Sequence, residues 1–325
     1  MPDKVLVTGA AGFIGSHLVE ELLIRGFNVR AFVRYNARND WGWLQILPCL
    51  KEIEVYTGDI RDYDSVKHAV RGTDVVFHLA ALIGIPYSYV TPLAYIKTNV
   101  EGTYNVVQAA REEGVKRIVH TSTSEVYGTA RYVPIDEDHP LQAQSPYAAS
   151  KIAADQLALS FYRSFGLPLV VVRPFNTFGP RQSARAVIPT IITQSLAASG
   201  PLRLGNLTPT RDFNYVSDTV SGIIAVGLST RTVGEVVNIG SGREVSIQQV
   251  VETVKKITGL QVTIEQEWER VRPADSEVER LLCDNRKAQQ LADWSPQYSL
   301  EKGLGETIAW FSDNLSLYKT DRYNL

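Results

Sequence analysis

Short apolar runs alternate with longer amphipathic segments through the first half of this chain. The apolar runs predict six strands, and the segments between them predict four helices that each close near a glycine able to end a helix. The strands are expected at Val5–Thr8, Val29–Val33, Ile53–Thr57, Val75–Leu79, Ile118–Ser122 and Leu169–Arg173. The helices are expected at Phe13–Arg25, Ser65–Val70, Leu93–Gly114 and Pro146–Phe165. This alternation predicts an α/β fold built on a doubly wound parallel sheet.

The alternation of predicted strands and helices becomes less regular after Arg173, where prolines and glycines interrupt it. Further helices are expected near Val187–Ala198, Asp218–Leu228, Ile247–Ile257 and Leu300–Leu315, separated by short strands. We therefore expect a first domain over residues 1–173, with return segments near 212–240, and a smaller C-terminal lobe over residues 174–325. Because no flexible Gly/Ser linker separates them, the two parts are expected to enclose a cleft.

A glycine-rich turn follows the first predicted strand and opens the first predicted helix. Gly9, Gly12 and Gly15 are spaced three apart within it. Glycines in this context let the backbone approach a pyrophosphate at the positive end of a helix. We therefore predict a Rossmann-type first domain that binds a dinucleotide through these glycines, Phe13 and Ile14.

The end of the second predicted strand bears on the choice of cofactor. From Asn28 to Asn39 there is no Asp or Glu, but Arg30, Arg34 and Arg38 are present. An acidic residue in this region normally binds the ribose hydroxyls of NAD, whereas an arginine accommodates the 2′-phosphate of NADP. NADP is therefore predicted, with Arg34 as the phosphate ligand. The alternative is NAD, with these arginines merely solvating a surface loop.

Composition excludes several kinds of partner. The 325 residues carry a formal net charge of -2, which gives no electrostatic case for nucleic acid or an anionic membrane. Two cysteines are too few for a disulfide framework, and the five histidines show no metal-ligand spacing, so no metal is predicted. The N-terminal residues contain no signal-peptide pattern. We expect a cytoplasmic protein with no membrane partner.

Tyr147 and Lys151 stand four residues apart at the start of a predicted helix, so both side chains project from one face. An ammonium beside the phenol favours a tyrosinate able to deprotonate a substrate hydroxyl. Tyr63 and Lys67 share this spacing, but they lie on a peripheral helix and are predicted to be packing or surface residues.

Thr123, Ser124 and Glu125 follow the strand predicted to end at Ser122. A hydroxyl there can polarise the reacting oxygen, and a carboxylate beside it can remove a proton next to a newly formed ketone. A simple carbonyl reductase has no need of that carboxylate. The alternative is that Glu125 only places a favourable charge at a helix N-terminus.

These motifs resemble those of extended short-chain dehydrogenases/reductases. Thr-Ser-Glu-Val-Tyr-Gly, followed by Tyr147-x-x-x-Lys151, resembles the sugar-nucleotide 4,6-dehydratases, and Val29-x-x-x-Val33-Arg34 resembles the NADP-binding strand of GDP-mannose 4,6-dehydratases. The segments 41–44, 128–132 and 181–185 resemble the GDP-N-acetylglucosamine 4,6-dehydratases of legionaminic acid pathways.

The resemblance implies further site residues. Around the cofactor it implies an adenine-side pair and a nicotinamide-side loop: Asp59, Ile60, Leu79, Ala80 and Ala81. Around the substrate it implies a grip on a sugar-nucleotide pyrophosphate: Asn176, Arg181, Arg211 and Arg272. The planar arginine fork suits phosphate oxygens, although any one of these arginines could instead form a surface salt bridge.

The activity implied is a 4,6-dehydratase acting on a GDP- or UDP-linked hexose or N-acetylhexosamine. A nucleotide-sugar 4-epimerase, a UDP-glucuronate decarboxylase and a catalytically silent NADP-sensing module are the alternatives. Ser124 departs from dTDP-glucose dehydratases, which usually have Asp there, so Glu125 would have to serve as both base and acid. The predicted helices 93–114 and 146–165 resemble those at the family's dimer interface, which implies a homodimer and leaves a tetramer open.

Overall fold

The computed structural model describes residues 4–197 and 200–320. Within these ranges the strands are β1 Lys4–Thr8, β2 Asn28–Arg34, β3 Glu54–Gly58, β4 Val75–His78, β5 Arg117–Thr121, β6 Leu169–Pro174, β7 Asn176–Phe178, β8 Leu202–Leu204, β9 Thr210–Tyr215, β10 Val236–Ile239, β11 Glu244–Ser246 and β12 Ile264–Gln266. The α-helices are α1 Phe13–Ile24, α2 Tyr63–Val70, α3 Ile85–Val90, α4 Pro92–Tyr95, α5 Gly102–Glu112, α6 Pro146–Phe165, α7 Val187–Ala197, α8 Val216–Leu228, α9 Ile247–Thr258, α10 Arg286–Ala292 and α11 Leu300–Asn314.

Seven strands form one parallel sheet in the order β3, β2, β1, β4, β5, β6, β10. The strand order reverses between β1 and β4, and ligands of such sheets bind outside the carboxyl ends of the strands at this switch point. The predicted doubly wound parallel sheet is confirmed. Its last strand, β10, comes from the C-terminal half of the chain, so the sheet is complete only at Ile239.

Both faces of the sheet are covered by helices, which explains why its strands are apolar throughout. Val5 and Val7 of β1 pack with α1 and α8 on one face, whereas Leu6 between them packs with α2, α5 and α6 on the other. This alternation follows from the two-residue period of a strand. The continuous apolar runs therefore indicated a sheet buried between two helical layers.

The predicted helix Leu93–Gly114 is wrong as a single element. The structure divides it into α4, a π-helical turn over Ile96–Glu101, and α5. Gly102 lies at the start of α5, where a Cβ would sit 3.0 Å from the Ile60 side chain. A π turn inserts an extra residue per turn, which a 3.6-residue apolar period does not reveal. The other predicted helices agree with the structure to within a few residues, and Ala198 lies outside the described residues.

The remaining strands, all after Pro174, form two smaller sheets. β7, β9 and β11 form a three-stranded sheet, and β8 pairs with β12. The sequence prediction did not locate these short strands, nor helices α3 and α10. None of the helices in the described ranges is long and apolar enough to cross a membrane.

Candidate active site

A short turn at the carboxyl end of β5 carries three of the predicted catalytic residues. Thr123 precedes a 3-10 turn over Ser124–Tyr127, and its Oγ1 accepts a hydrogen bond from the Glu125 backbone N–H at 3.2 Å. Gly128 ends the turn with φ of 63°, a conformation that L side chains rarely adopt. The side chains of Ser124 and Glu125 are buried. The local sequence thus holds the Glu125 carboxylate in a fixed place beside the end of the sheet.

Helix α6 brings the second part of the constellation to the same place. It starts at Pro146, and Ser145 caps it by accepting the Ala148 backbone N–H at 3.1 Å. Tyr147 in the first turn lies within hydrogen-bonding reach of the Thr123 hydroxyl. Lys151, one turn later, donates from Nζ to the Thr121 carbonyl oxygen at 2.8 Å. The helix therefore brings the tyrosine and the lysine to the end of β5 and to the turn that follows it.

The electrostatics of the pair follow from its burial. Burial raises the pKa of Tyr147 above its ordinary value; the Thr123 hydroxyl opposes this, whereas the Glu125 charge adds to it. Burial also lowers the pKa of Lys151 from 10.5 to about 8, and the nearby Asp155 carboxylate opposes that change. A tyrosinate at this position therefore depends on positive charge beside it, and Lys151, one turn later on the same helix, is the candidate to supply that charge.

Asn99, in the π-helical turn, is a site residue that the sequence reasoning missed. Its Oδ1 accepts from the Leu82 backbone N–H at 2.8 Å, and its Nδ2 donates to the Leu82 carbonyl at 3.0 Å. The same Nδ2 reaches Ser150 Oγ at 2.9 Å, and Ser150 Oγ donates to the Tyr147 carbonyl at 2.7 Å. Asn99 thus fastens the loop after β4 to the helix that carries Tyr147. The extra residue of the π turn is the feature that marks Asn99 as a site residue, and this turn is visible only in the structure.

The glycine turn between β1 and α1 has the shape of an anion cradle. A Cβ at Gly9 would lie 2.8 Å from the Ala80 backbone nitrogen, and one at Gly15 would lie 2.2 Å from the Gly9 carbonyl oxygen. Gly12 precedes the helix without a side-chain cap. The backbone N–H groups of Phe13 and Ile14, in the first helical turn, have no carbonyl available within the helix. These features fit a dinucleotide pyrophosphate, because the N–H groups point toward an anion at the positive helix end.

Arg34 lies exposed at the end of β2, opposite Gly58 in the sheet register. Asp59 follows directly and forms an ion pair with Arg61 at 2.6 Å. The pKa of Asp59 lies below its usual value, chiefly because of the hydrogen bonds from Arg61 and to a lesser extent because of the Arg34 charge. Arg34 is therefore close to the Asp59 loop, and the charge of Asp59 is already compensated by Arg61.

Arg30, in contrast, is buried and hydrogen-bonded. It donates to the Glu54 carboxylate at 3.1 Å and from Nη1 to the Ala69 carbonyl at 2.6 Å. Of the three arginines in and after β2, Arg30 is thus part of the contact between β2, β3 and the end of α2. Four of its five N–H donors are used in this contact.

Two of the predicted substrate arginines meet on one carboxylate. Nη2 of Arg211 and Nη1 of Arg272 lie 3.3 Å and 3.5 Å from the same Oε1 of Glu277. Burial lowers the pKa of Arg211, and the charge of Glu125 acts in the opposite direction. Arg211 thus lies between the catalytic turn and Arg272. Glu277 was not recognised in the sequence, because its role depends on partners distant along the chain.

Asn176 and Arg181 have different environments. The Oδ1 atom of Asn176 is buried without a hydrogen-bond partner in the structure, so it is available to a ligand. The guanidinium of Arg181 instead contacts α1, with Nη1 2.5 Å from Glu20 Oε2 and 3.3 Å from Ser16 Oγ. The charge of Arg181 is thus paired to the first helix, while its Nε is buried without a hydrogen-bond partner. Its contact with a substrate diphosphate stays a prediction.

Within the described residues, no cluster of three or more His, Cys, Asp or Glu side chains is arranged to hold a metal ion.

Comparison with known proteins identifies the family of this fold. The family model described as GDP-mannose 4,6 dehydratase matches residues 6–307. A UDP-N-acetyl-alpha-D-glucosaminuronate decarboxylase from Bacillus cytotoxicus is 35% identical over 329 residues, which cover 96% of this chain and 99% of the relative.

Two solved structures show the same fold. A dTDP-glucose 4,6-dehydratase from Streptomyces venezuelae, solved with NAD bound, has a TM-score of 0.85 and 31% identity over 97% of this chain and 99% of that one. An epimerase from Methanothermobacter thermautotrophicus has a TM-score of 0.89 and 31% identity over 97% of this chain and 94% of that one. Dehydratases, epimerases and decarboxylases thus all share this architecture. The chain belongs to the GDP-mannose 4,6-dehydratase family, within the extended short-chain dehydrogenases/reductases that modify nucleotide sugars.

Proposed function

We propose that the protein is a nucleotide-sugar 4,6-dehydratase, which converts a GDP- or UDP-linked hexose or N-acetylhexosamine to the 4-keto-6-deoxy sugar with bound NADP. The observation that carries this proposal is the buried Glu125 carboxylate, which lies close enough to influence both Tyr147 and Arg211. Oxidation at C4 needs only the tyrosine, the lysine and the threonine. A carboxylate in addition to these is what an elimination requires.

The residues divide the reaction between them. Tyr147 accepts the proton of the C4 hydroxyl, Thr123 donates a hydrogen bond to the same oxygen, and Lys151 stabilises the tyrosinate. A dinucleotide held at the glycine turn by Gly9, Gly12 and Gly15 would supply the acceptor for the C4 hydride and the hydride that enters at C6. Glu125 removes the C5 proton, which is acidic because it lies next to the C4 ketone, and delivers it to the departing C6 hydroxyl.

The products balance with one molecule of water released. The C5 proton and the C6 hydroxyl leave together as water, and a C5–C6 double bond forms. Hydride then enters at C6, and a proton enters at C5, balancing the one that Tyr147 accepted. Because Ser124 cannot act as an acid of carboxylic strength, Glu125 serves as both base and acid.

The C-terminal lobe supplies the grip on the diphosphate. Arg211 and Arg272 already point at a common oxygen atom of Glu277, and Asn176 has a buried acceptor without a partner. Guanidinium groups that converge in this way suit the closely spaced oxygens of a diphosphate. Glu125 lies near Arg211, so a sugar attached to that diphosphate would extend toward the catalytic turn.

The preference for NADP rests on Arg34. Its exposed guanidinium stands at the end of β2, where the neighbouring Asp59 is neutralised by Arg61. A 2′-phosphate there gains a charge-assisted contact without meeting an uncompensated carboxylate. The dehydratase relative solved with NAD shows that NAD is the alternative to exclude.

Exposed apolar side chains support a homodimer. Val90, Leu93 and Ile96 are 68%, 63% and 46% exposed around α3 and α4, and Tyr104 of α5 and Phe165 of α6 are about half exposed. These side chains lie on or beside the helices that resemble the family's dimer interface, and a two-fold axis would bury them against a second copy.

The decisive test is product analysis. The protein is incubated with NADP and a panel of GDP-, UDP-, dTDP- and CDP-sugars, including uronates, and the products are weighed. Loss of one water supports dehydration, whereas an unchanged mass with an inverted C4 hydroxyl establishes an epimerase. Loss of carbon dioxide from a uronate establishes a decarboxylase, and cofactor binding without turnover establishes a sensor.

Glu125→Gln tests the assignment of the carboxylate. The variant should oxidise C4 but fail to eliminate water, so reduced cofactor accumulates and is seen by its absorbance. Glu265→Gln, on the exposed strand β12, makes the same chemical change away from the site and should behave as the wild type. Unimpaired dehydration by Glu125→Gln would remove the carboxylate from the mechanism.

A further inference from the structure

A carboxylate with no assigned role lies beneath the catalytic pair. Asp155 stands one helical turn after Lys151 on α6 and is completely buried. Its Oδ2 accepts from Ser122 Oγ at 2.7 Å and from Arg173 Nη2 at 3.1 Å, and its Oδ1 lies 3.2 Å from Nε2 of His120. Because a carboxylate only accepts, the His120 Nε2 carries the hydrogen. One side chain of α6 is thus bonded to β5, to the residue that follows it, and to β6.

The contacts of Asp155 continue to the catalytic turn. Nη1 of Arg173 donates to the Tyr127 hydroxyl at 3.0 Å, and that hydroxyl donates to Asn238 Oδ1 at 2.7 Å. Tyr127 is the last residue of the turn that contains Glu125, and Asn238 lies on β10. The network therefore connects the helix that carries Tyr147 and Lys151 with the turn that carries Thr123 and Glu125.

The charge of Asp155 acts on both members of the catalytic pair. It opposes the fall in the pKa of Lys151 that burial causes, and it adds to the rise in the pKa of Tyr147. The other titratable groups near Lys151 are His78 and His120, whose pKa values burial lowers, so both rings are neutral. The ion pair of Asp155 with Arg173 places one further charge, of opposite sign, in the same buried region.

We propose that Asp155 is a positioning residue for the catalytic pair. Its carboxylate holds α6 in register with the catalytic turn, and its negative charge keeps Lys151 as the ammonium. This inference rests on the proposed function in one respect, since Tyr147 and Lys151 are taken to act in the oxidation at C4. An ordinary structural ion pair would stabilise the fold without setting the pH range of that step.

Asp155→Asn tests the electrostatic role. Removing the negative charge makes both the Lys151 ammonium and the neutral Tyr147 phenol less stable, so both limbs of the pH profile for C4 oxidation move to lower pH by about one unit. Ser122→Ala deletes one hydrogen bond to Asp155 without changing a charge, so its profile stays in place.

The measurement follows the first step alone. Single-turnover formation of reduced cofactor from a nucleotide sugar is recorded across the pH range for each holoenzyme. In parallel, the ionisation of Tyr147 is followed without substrate as the tyrosinate absorbance of each protein minus that of the same protein carrying Tyr147→Phe. The pH at which Tyr147 ionises in this second measurement depends on the charge of Asp155, whether or not turnover occurs.

Asp155→Glu separates the two roles, because it should restore the wild-type pH profile without restoring the wild-type rate. It keeps the charge but displaces the carboxylate by one methylene, so the limbs should remain in place while the rate falls at least tenfold. A full rate in Asp155→Glu overturns the role in register, and unmoved limbs in Asp155→Asn overturn the electrostatic role. Asp155→Glu keeps the proposal testable if Asp155→Asn fails to fold. A wild type that forms no reduced cofactor with any nucleotide sugar refutes the proposed function instead, and the absorbance titration still decides the effect of Asp155.

Discussion

Replacing Lys151 by methionine should stabilise the protein and inactivate it. Lys151 is completely surrounded by protein, and burial lowers its pKa from 10.5 to about 8. At 1.36 kcal/mol per pH unit, this fall means that the folded state opposes the ammonium by about 3 kcal/mol. Methionine fills a similar volume without a charge. The Thr121 carbonyl loses its hydrogen bond from Nζ, which costs about 1 kcal/mol, so a net gain of about 2 kcal/mol is expected at pH 7.

The gain has a characteristic pH dependence. A lysine with a lowered pKa binds fewer protons in the folded state than in the unfolded state, so wild-type stability rises with pH between about 8 and 10.5. The full penalty is present below pH 8 and has gone above 10.5. The advantage of Lys151→Met over the wild type should therefore shrink steadily as the pH rises through that window.

The assay is urea unfolding of the cofactor-free protein at pH 7 and at pH 9.5, followed by circular dichroism. Lys67→Met is the matched control, because Lys67 lies at the surface in an ion pair with Glu112 at 2.6 Å and should give no gain. In the same variant of Lys151, formation of reduced cofactor should fall by a factor of about 100 or more. A Lys151→Met protein that is less stable than the wild type at pH 7 would refute the reasoning, since the buried ammonium would then not be a strained group.

Three further predictions concern the cofactor and the assembly. Arg34→Ala should weaken NADP binding by about 10- to 100-fold and leave NAD binding unchanged in calorimetric titrations, whereas Arg38→Ala should leave both constants unchanged; equal loss for both cofactors would contradict a 2′-phosphate contact. Gly15→Ala places a Cβ 2.2 Å from a carbonyl oxygen and should weaken cofactor binding at least tenfold, whereas Gly305→Ala, with nothing within 4 Å, should preserve it; tight binding by the Gly15 variant would show that the turn can yield. Leu93→Asp should convert a dimer to a folded monomer in light scattering, and a dimer that persists would place the interface elsewhere.

The sequence by itself determined the sheet and the local parts of the site. Apolar runs and the glycines that end helices are local signals, so β1 to β6 and α6 were located closely. The same holds for the glycine turn, whose place between a strand and a helix is readable from neighbouring residues. Tyr147 and Lys151 were identified because their spacing and their position after β5 are both properties of a short segment.

Only the tertiary structure decided how distant charges pair. Arg181, Arg211 and Arg272 look alike in the sequence, yet Arg181 pairs with Glu20 of α1 while the other two meet on Glu277. The π turn around Asn99 was hidden for a related reason, since its contacts with Leu82 and Ser150 join separate elements.

Asp155 is the clearest case of this division. In the sequence it is one more acidic residue on an amphipathic helix, and in the structure it is bonded to His120, Ser122 and Arg173 from two strands. Hydrophobic periodicity records which face of an element is buried, because burial depends on the face as a whole. The partner of a buried charge depends on which segments the fold brings together, and that is settled only when the sheet and its helices are assembled.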